Sequence, residues 1–139
     1  MALLKRYSLI GLVACGIALT LIVVNNKKID PIWVQLTDVK QRMSLETACH
    51  ELLRIWKRSG KDVWLGSGGL PVPLRDLNPQ ATQVLDYEEF VVVNIKLVTG
   101  FHRKGIIVLV EGVPKSAGPQ DVFALRLKPI SNTVWFYSE

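Results

Sequence analysis

The feature that most constrains the fold is an uncharged apolar run near the N-terminus, Tyr7–Val24. Its 18 residues read YSLIGLVACGIALTLIVV and include no Asp, Glu, Lys or Arg. About 20 apolar residues in a helix cross the hydrocarbon core of a bilayer. Basic residues border the run, and their long side chains reach the polar interface: Lys5, Arg6, Lys27 and Lys28. The sequence therefore predicts one transmembrane anchor, with its basic flanks, at residues 1–28.

Two kinds of N-terminal processing compete with an uncleaved anchor. A secretory signal peptide needs small residues at its cleavage site, and Val24-Asn25-Asn26 lacks them. Leu12-Val13-Ala14-Cys15 resembles the bacterial lipobox, a short motif that ends in an acylated cysteine, and the resemblance implies lipidation of Cys15. The nine residues after Cys15 stay apolar, whereas the segment after an acylated cysteine is usually polar. A plain anchor is the main prediction, and lipidation of Cys15 is the alternative.

Charge sets the expected orientation and partners. A short basic N-terminus before a first apolar helix favours a cytoplasmic N-terminus, so we expect the following domain on the non-cytoplasmic side. Beyond Arg6 the chain has 15 basic and 12 acidic residues, and the acidic residues are interspersed among the basic ones. This balance suits a protein beside an anionic membrane, whereas a nucleic-acid binder concentrates basic and aromatic residues on one surface. We expect the lipid bilayer and proteins of a membrane complex as partners, and no nucleic acid.

An amphipathic helix is predicted at Ser44–Ser59. Its apolar residues recur with a helical period and form one stripe that we expect to pack on a sheet: Leu45, Ala48, Cys49, Leu52, Ile55 and Trp56. Gly60 follows as the C-terminal cap, and Ser44 is a candidate N-terminal cap. An earlier start, near Pro31 or Thr37, is the alternative.

Four strands are predicted after a turn-rich connection at residues 60–86, in which Leu74–Leu77 forms a helical turn. Apolar alternation and one uniformly apolar, central segment indicate the strands: Val91–Leu97, Ile106–Val110, Phe123–Lys128 and Val134–Tyr137. Short loops between them exclude parallel pairing. The predicted fold class is therefore α+β, with an N-terminal transmembrane helix and then an amphipathic helix packed on a four-stranded antiparallel β-meander. Residues 29–43 form the membrane-proximal connector and helix start, and residues 44–139 form a small extramembrane domain.

Residues that could carry chemistry are scattered along the chain. His50 and His102 fall on a helix and on a hairpin loop, and Glu88 and Glu89 are neighbours at the start of a strand, so they point to opposite faces. Gly66-Ser67-Gly68 departs from the Gly-x-Ser-x-Gly nucleophile motif, and the prolines that follow do not suit a phosphate-binding helix start. We predict that the protein is not an enzyme and has no cofactor and no metal site.

One candidate contact surface stands out, the hairpin loop between Gly100 and Gly105. A basic loop beside an aromatic residue suits lipid head groups or an acidic partner, and a solvated turn is the alternative. The loop residues are Phe101, His102, Arg103 and Lys104.

The leading functional prediction is a single-pass membrane-anchored accessory or structural subunit of a larger membrane or envelope complex, acting through protein contacts. The order of anchor, helix, loop and antiparallel meander resembles type IV pilins and pseudopilins, which implies a filament subunit. In that family a Gly precedes an aromatic residue, often the Phe of Phe-Thr-Leu-Ile-Glu. Here Arg6 precedes Tyr7, and Gly11 occupies the position of that motif's glutamate. The lipobox resemblance at Cys15 implies a third possibility, a lipoprotein-like periplasmic binding module.

Overall fold

The computed structural model describes residues 30–98, 102–113 and 126–139. The chain divides into two compact units, Met1–Val34 and Gln35–Glu139. The predicted anchor, Cys15 and Phe101 lie outside the described residues. No helix in the described ranges is long and apolar enough to cross a bilayer.

Two helices open the described chain. Helix α1 spans Pro31–Thr37, and Asp30 Oδ1 accepts a hydrogen bond of 2.9 Å from the N–H of Ile32 at its start. Helix α2 spans Val39–Ser59. Its N-terminal cap is Asp38, whose Oδ1 accepts from the Gln41 N–H at 3.0 Å. The predicted cap at Ser44 is therefore wrong, and the helix begins close to Thr37, which was the alternative.

The C-terminal end of α2 is the predicted one. Gly60 has a φ of 69°, a conformation that glycine adopts without strain, and its N–H donates to the Trp56 carbonyl at 2.8 Å. The buried stripe confirms four predicted residues and adds one that was not predicted: Leu45, Ala48, Cys49, Leu52 and Leu53. Ile55 and Trp56 are only half-buried because each borders a separate surface cavity.

The described residues form a six-stranded antiparallel sheet, and not the four-stranded sheet that was predicted. A short helix, α3, spans Val72–Asp76, where a helical turn was predicted at Leu74–Leu77. The strands lie in the order β1-β2-β3-β4-β6-β5. Their bounds are β1 Val63–Leu65, β2 Ala81–Tyr87, β3 Phe90–Val98, β4 Lys104–Gly112, β5 Lys128–Pro129 and β6 Val134–Ser138.

The two strands that sequence reasoning missed, β1 and β2, lie in the segment that was assigned to a turn-rich connection. Strand β1 has three residues, too few to show a period. Strand β2 buries Thr82 and Val84, but a threonine in the core position hides the alternation. Of the predicted strand Phe123–Lys128, residues 123–125 lie outside the described ranges. Its last residue, Lys128, belongs to β5.

The sheet is apolar on both faces. The helix-side face is the one on which α2 lies, because Lys57 of α2 pairs with Glu111, whose register partner is Val91. Its buried residues include Val91, Val93, Ile95, Ile106, Val108, Val134 and Phe136. The opposite, far face has its own cluster, formed by Phe90, Val92, Ile107, Leu127, Trp135 and Tyr137. Ile106, Ile107 and Val108 are fully buried, which confirms β4 as a central strand covered on both faces.

The Tyr137 side chain packs over a glycine of the neighbouring strand on the far face. Gly105, which the sequence placed at the end of the hairpin loop, lies within β4 opposite Tyr137. The Tyr137 hydroxyl donates to Asn94 Oδ1 at 3.1 Å, so a buried amide and a buried phenol satisfy each other. A Cβ at position 105 would overlap the Tyr137 hydroxyl and the Ile95 carbonyl oxygen. Burial raises the pKa of Tyr137 to about 12, with smaller effects from Arg103, which lowers it, and Glu139, which raises it.

Candidate functional site

Three of the four predicted hairpin residues form part of a larger basic surface at one end of the sheet. His102 and Arg103 are exposed and Lys104 begins β4. Lys104 lies opposite Ser138, and Lys128 lies opposite Phe136, so the register of β6 brings β5 to the same end. We call this surface the basic end, and its members are His102, Arg103, Lys104, Arg126 and Lys128. Sequence reasoning missed Arg126 and Lys128 because tertiary pairing places them there.

Glu139 holds the basic end together. Its N–H donates to the Arg103 carbonyl at 2.7 Å, and its Oε2 lies 3.8 Å from Arg103 Nε. Its Oε1 accepts from the Arg126 N–H at 3.3 Å. One carboxylate therefore organises a surface that keeps a net positive charge. Such a surface suits anionic groups, and its contribution weakens as salt screens the exposed charges.

An acidic surface lies at the other end of the strands. Asp86, Glu88, Glu89 and Glu111 line a cavity of about 520 Å³ together with Lys57 and Trp56. Lys57 Nζ lies 2.5 Å from Glu111 Oε2, and both side chains are about half exposed. Glu88 and Glu89 form the turn between β2 and β3, which corrects their predicted position at the start of a strand. In the described ranges, no group of three or more His, Cys, Asp or Glu is placed to hold a metal ion.

The third surface is a groove between α2 and the segment Gly69–Arg75, and we call it the α2 groove. It encloses about 660 Å³. Leu70 and Leu74 are buried and fix the segment against the core, and Arg75 Nη2 donates to the Leu70 carbonyl at 3.4 Å. The groove is lined by Ser44, Thr47, Ala48, Glu51, Ile55, Gly69, Leu70, Pro71, Val72, Pro73 and Arg75.

The lining of the α2 groove is mixed, with six apolar side chains, two hydroxyl groups and one charge of each sign. Val72 stands at its rim with 59% of its surface exposed, and Glu51 and Arg75 are the charged members. A second cavity of about 250 Å³ continues from it and shares Ser44 and Pro73. A groove beside a helix that combines apolar side chains with polar groups at fixed positions is a common form of binding surface for peptide segments. The Pro71-Val72-Pro73 sequence suggested only an extended connection, so this surface was not predicted.

The side chains with potential chemistry stay apart. Burial, and to a lesser extent the Glu46 carboxylate, raises the pKa of the Cys49 thiol well above its ordinary value, so this thiol is protonated and unreactive. His50 lies exposed on α2, whereas His102 lies just before β4. The Ser67 hydroxyl lies 3.2 Å from Asn78 Oδ1, an acceptor that is not a base. Comparison of the chain with known protein families, with curated proteins and with solved structures found no match.

Proposed function

We propose that this protein is a single-pass membrane-anchored accessory subunit of a larger membrane or envelope complex, and that its folded unit docks a protein partner. The observation that carries the proposal is the uncharged 18-residue run Tyr7–Val24, bordered by basic residues and followed along the chain by a compact unit that begins at Gln35. A run of this length suits a bilayer because a helix satisfies all its backbone groups internally.

The α2 groove is the proposed docking surface. Val72 and Ile55 offer apolar contacts, while Glu51 and Arg75 offer one charge of each sign to fix the orientation of a partner. This combination is typical of interfaces, in which an apolar centre contributes most of the free energy and polar groups at the rim contribute specificity.

Carbonate extraction of membranes tests the anchor. The wild-type chain should stay in the membrane pellet. Ala14→Arg with Ala18→Arg should release it, because each arginine at the centre of a spanning helix costs about 2.5–3.5 kcal/mol. The matched control is Val39→Arg with Met43→Arg, which has the same spacing on an exposed face of α2 and should stay in the pellet. Extraction of the wild-type chain would refute the proposal.

The intact mass of the protein extracted from membranes separates the proposal from its two alternatives. An uncleaved anchor predicts the full chain of 15.6 kDa. Loss of residues 1–14 with added acyl mass would replace the proposal with the lipoprotein-like module. Loss of residues 1–6 with an added methyl group would replace it with the pilin-like subunit.

Native gel electrophoresis of gently solubilised membranes tests the docking surface. Val72→Asp should shift the protein from the mobility of a complex to that of the isolated subunit, because a charge at the rim opposes burial against a partner. Val113→Asp is the control, since Val113 is 78% exposed and lies outside the groove. Equal mobility of the two variants would remove the α2 groove from the proposal.

A further inference from the structure

The two edges of the sheet are built differently. The edge strand β5 consists of Lys128 and Pro129, both exposed. A lysine and a proline are residues that proteins place on edges to prevent further strand pairing, because the charge resists burial and proline has no N–H to donate. The other edge strand, β1, consists of Val63, Trp64 and Leu65 and has neither a charge nor a proline. Among the described residues no strand lies beyond β1, so this edge is open to pairing.

Hydrogen bonds to β2 determine which backbone groups of β1 face outward. The Val84 N–H donates to the Asp62 carbonyl at 2.8 Å, and the Gly66 N–H donates to the Gln80 carbonyl at 2.9 Å. Since the direction of these groups alternates along a strand, Asp62, Trp64 and Gly66 face β2. The N–H and C=O groups of the two residues between them, Val63 and Leu65, point away from the sheet.

The side chains of β1 alternate in the same way. Trp64 is 2% exposed and packs into the core, whereas Val63 is 37% exposed and Leu65 is 80% exposed. The two residues with outward-pointing backbone groups thus also carry exposed apolar side chains. Lys61 folds back along its own chain, with its Nζ 5.4 Å from the centre of the Trp64 ring, so it does not block the edge.

We propose that a second copy of this chain adds to the sheet at β1, antiparallel to it, with Val63 of each copy opposite Leu65 of the other. The two-fold axis then passes beside Trp64, and the Val63 and Leu65 backbone groups form four hydrogen bonds between the copies. Two Val–Leu pairs come together on the far face.

The flanking residues favour a second copy as the occupant. In this register Asp62 faces Gly66 of the other copy, and the turn that follows, Ser67–Gly69, carries no charge, so no like charges are opposed. The inference rests on the proposed function, because a contact this small falls below the about 1,200–2,000 Å² of a stable interface in solution. Two anchors in one membrane supply the high effective concentration that a weak contact needs.

Paired cysteines in the full-length chain test both the contact and its register. One chain carries Val63→Cys and a second, differently tagged chain carries Leu65→Cys, and both also carry Cys15→Ala. The two chains are produced together and oxidised in membranes. Residues opposite each other in a hydrogen-bonded antiparallel pair have Cα atoms about 5.5 Å apart, within disulfide range. Val63 of one copy and Val63 of the other are offset by two residues in this register, as are the two Leu65 residues, so their Cα atoms are too far apart for a disulfide. Mixed dimers should therefore exceed those of either variant alone several-fold.

The matched control uses the same spacing at the opposite edge, Lys128→Cys with Ile130→Cys, and should give no excess of mixed dimers. Equal cross-linking by the single variants, absence of mixed dimers, or cross-linking to a different protein would each overturn the inference. Carbonate extraction of the same membranes separates this result from the anchor. If mixed dimers form but carbonate extracts the chain, the pairing at β1 is supported and the membrane anchor is refuted. If the chain resists extraction but forms no mixed dimers, only the pairing is refuted.

Discussion

Replacing Thr82 with Val should stabilise the folded protein. Thr82 is fully buried in β2, between Trp64 of β1 and Ile95 of β3. Its Oγ1 has no hydrogen-bond partner among the described residues. In the unfolded chain water bonds to this hydroxyl, so folding loses that bond without replacing it. Valine keeps the β-branched shape and puts a methyl group where the hydroxyl was.

The expected gain follows from two contributions. A buried hydroxyl without a partner costs about 1–3 kcal/mol. A buried methyl group in its place adds about 0.8 kcal/mol of favourable transfer free energy. Part of this total is lost because valine is slightly larger than the site it fills, so we expect the free energy of unfolding to rise by about 1–2 kcal/mol.

Urea unfolding of the protein in detergent micelles, followed by tryptophan fluorescence, measures the change. The midpoint should rise at an unchanged slope. Thr82→Ser keeps the hydroxyl but removes the methyl group and should lower the midpoint. Thr47→Val, on an exposed turn of α2, should change the free energy of unfolding by less than about 0.5 kcal/mol. A lower midpoint for Thr82→Val would refute the reasoning, because it would mean that the hydroxyl has a partner in the folded protein.

Three further outcomes follow from the described contacts. Gly105→Ala should lower the free energy of unfolding by at least about 2 kcal/mol in the same urea assay, because its methyl group would overlap the Tyr137 hydroxyl and the Ile95 carbonyl. The control is Gly68→Ala, whose methyl group meets nothing within 4 Å and should leave the free energy of unfolding nearly unchanged. Asp38→Ala should lower the free energy of unfolding by about 1 kcal/mol, because alanine removes the acceptor for the Gln41 N–H. Asp38→Asn keeps an acceptor oxygen and should lower it much less, so an equal loss with asparagine would contradict this capping role. Tyr137 should ionise near pH 12 in an ultraviolet titration of the folded protein. Its raised pKa contributes stability that is complete below the ordinary pKa of about 10 and is lost as the pH rises toward 12, so Tyr137→Phe should flatten this decline.

The sequence was sufficient to predict the elements with strong periodicity. The spacing of Leu45, Cys49 and Leu52 predicted α2, and Gly60 marked its end. The apolar alternation of β3 and the continuous apolar segment of β4 predicted these two strands, and the continuous segment marked β4 as a central one. These patterns arise because each element buries one or both faces, so the spacing of apolar residues along the sequence reports which positions are buried.

The remaining elements depend on contacts between distant parts of the chain. Strand β1 is three residues long and exists because β2 offers it a hydrogen-bonding partner. The α2 groove forms because Leu70 and Leu74 anchor a proline-rich segment beside the helix. The basic end combines Arg103 and Lys104, which belong to the predicted loop, with Arg126 and Lys128, which only strand register brings there. No local pattern contains these arrangements.

The opposite charges at the two ends of the sheet give the folded unit an electric dipole moment along its strands. Strand β4 connects the ends with nine residues, which corresponds to about 27–30 Å. This distance exceeds the Debye length of about 8 Å at physiological salt, so an anionic lipid surface acts mainly on whichever end is nearer. The result is a torque that turns the basic end toward such a surface and the acidic end away from it. Rotation of the unit beside a membrane would then be biased by salt concentration and lipid composition, without any change in its structure.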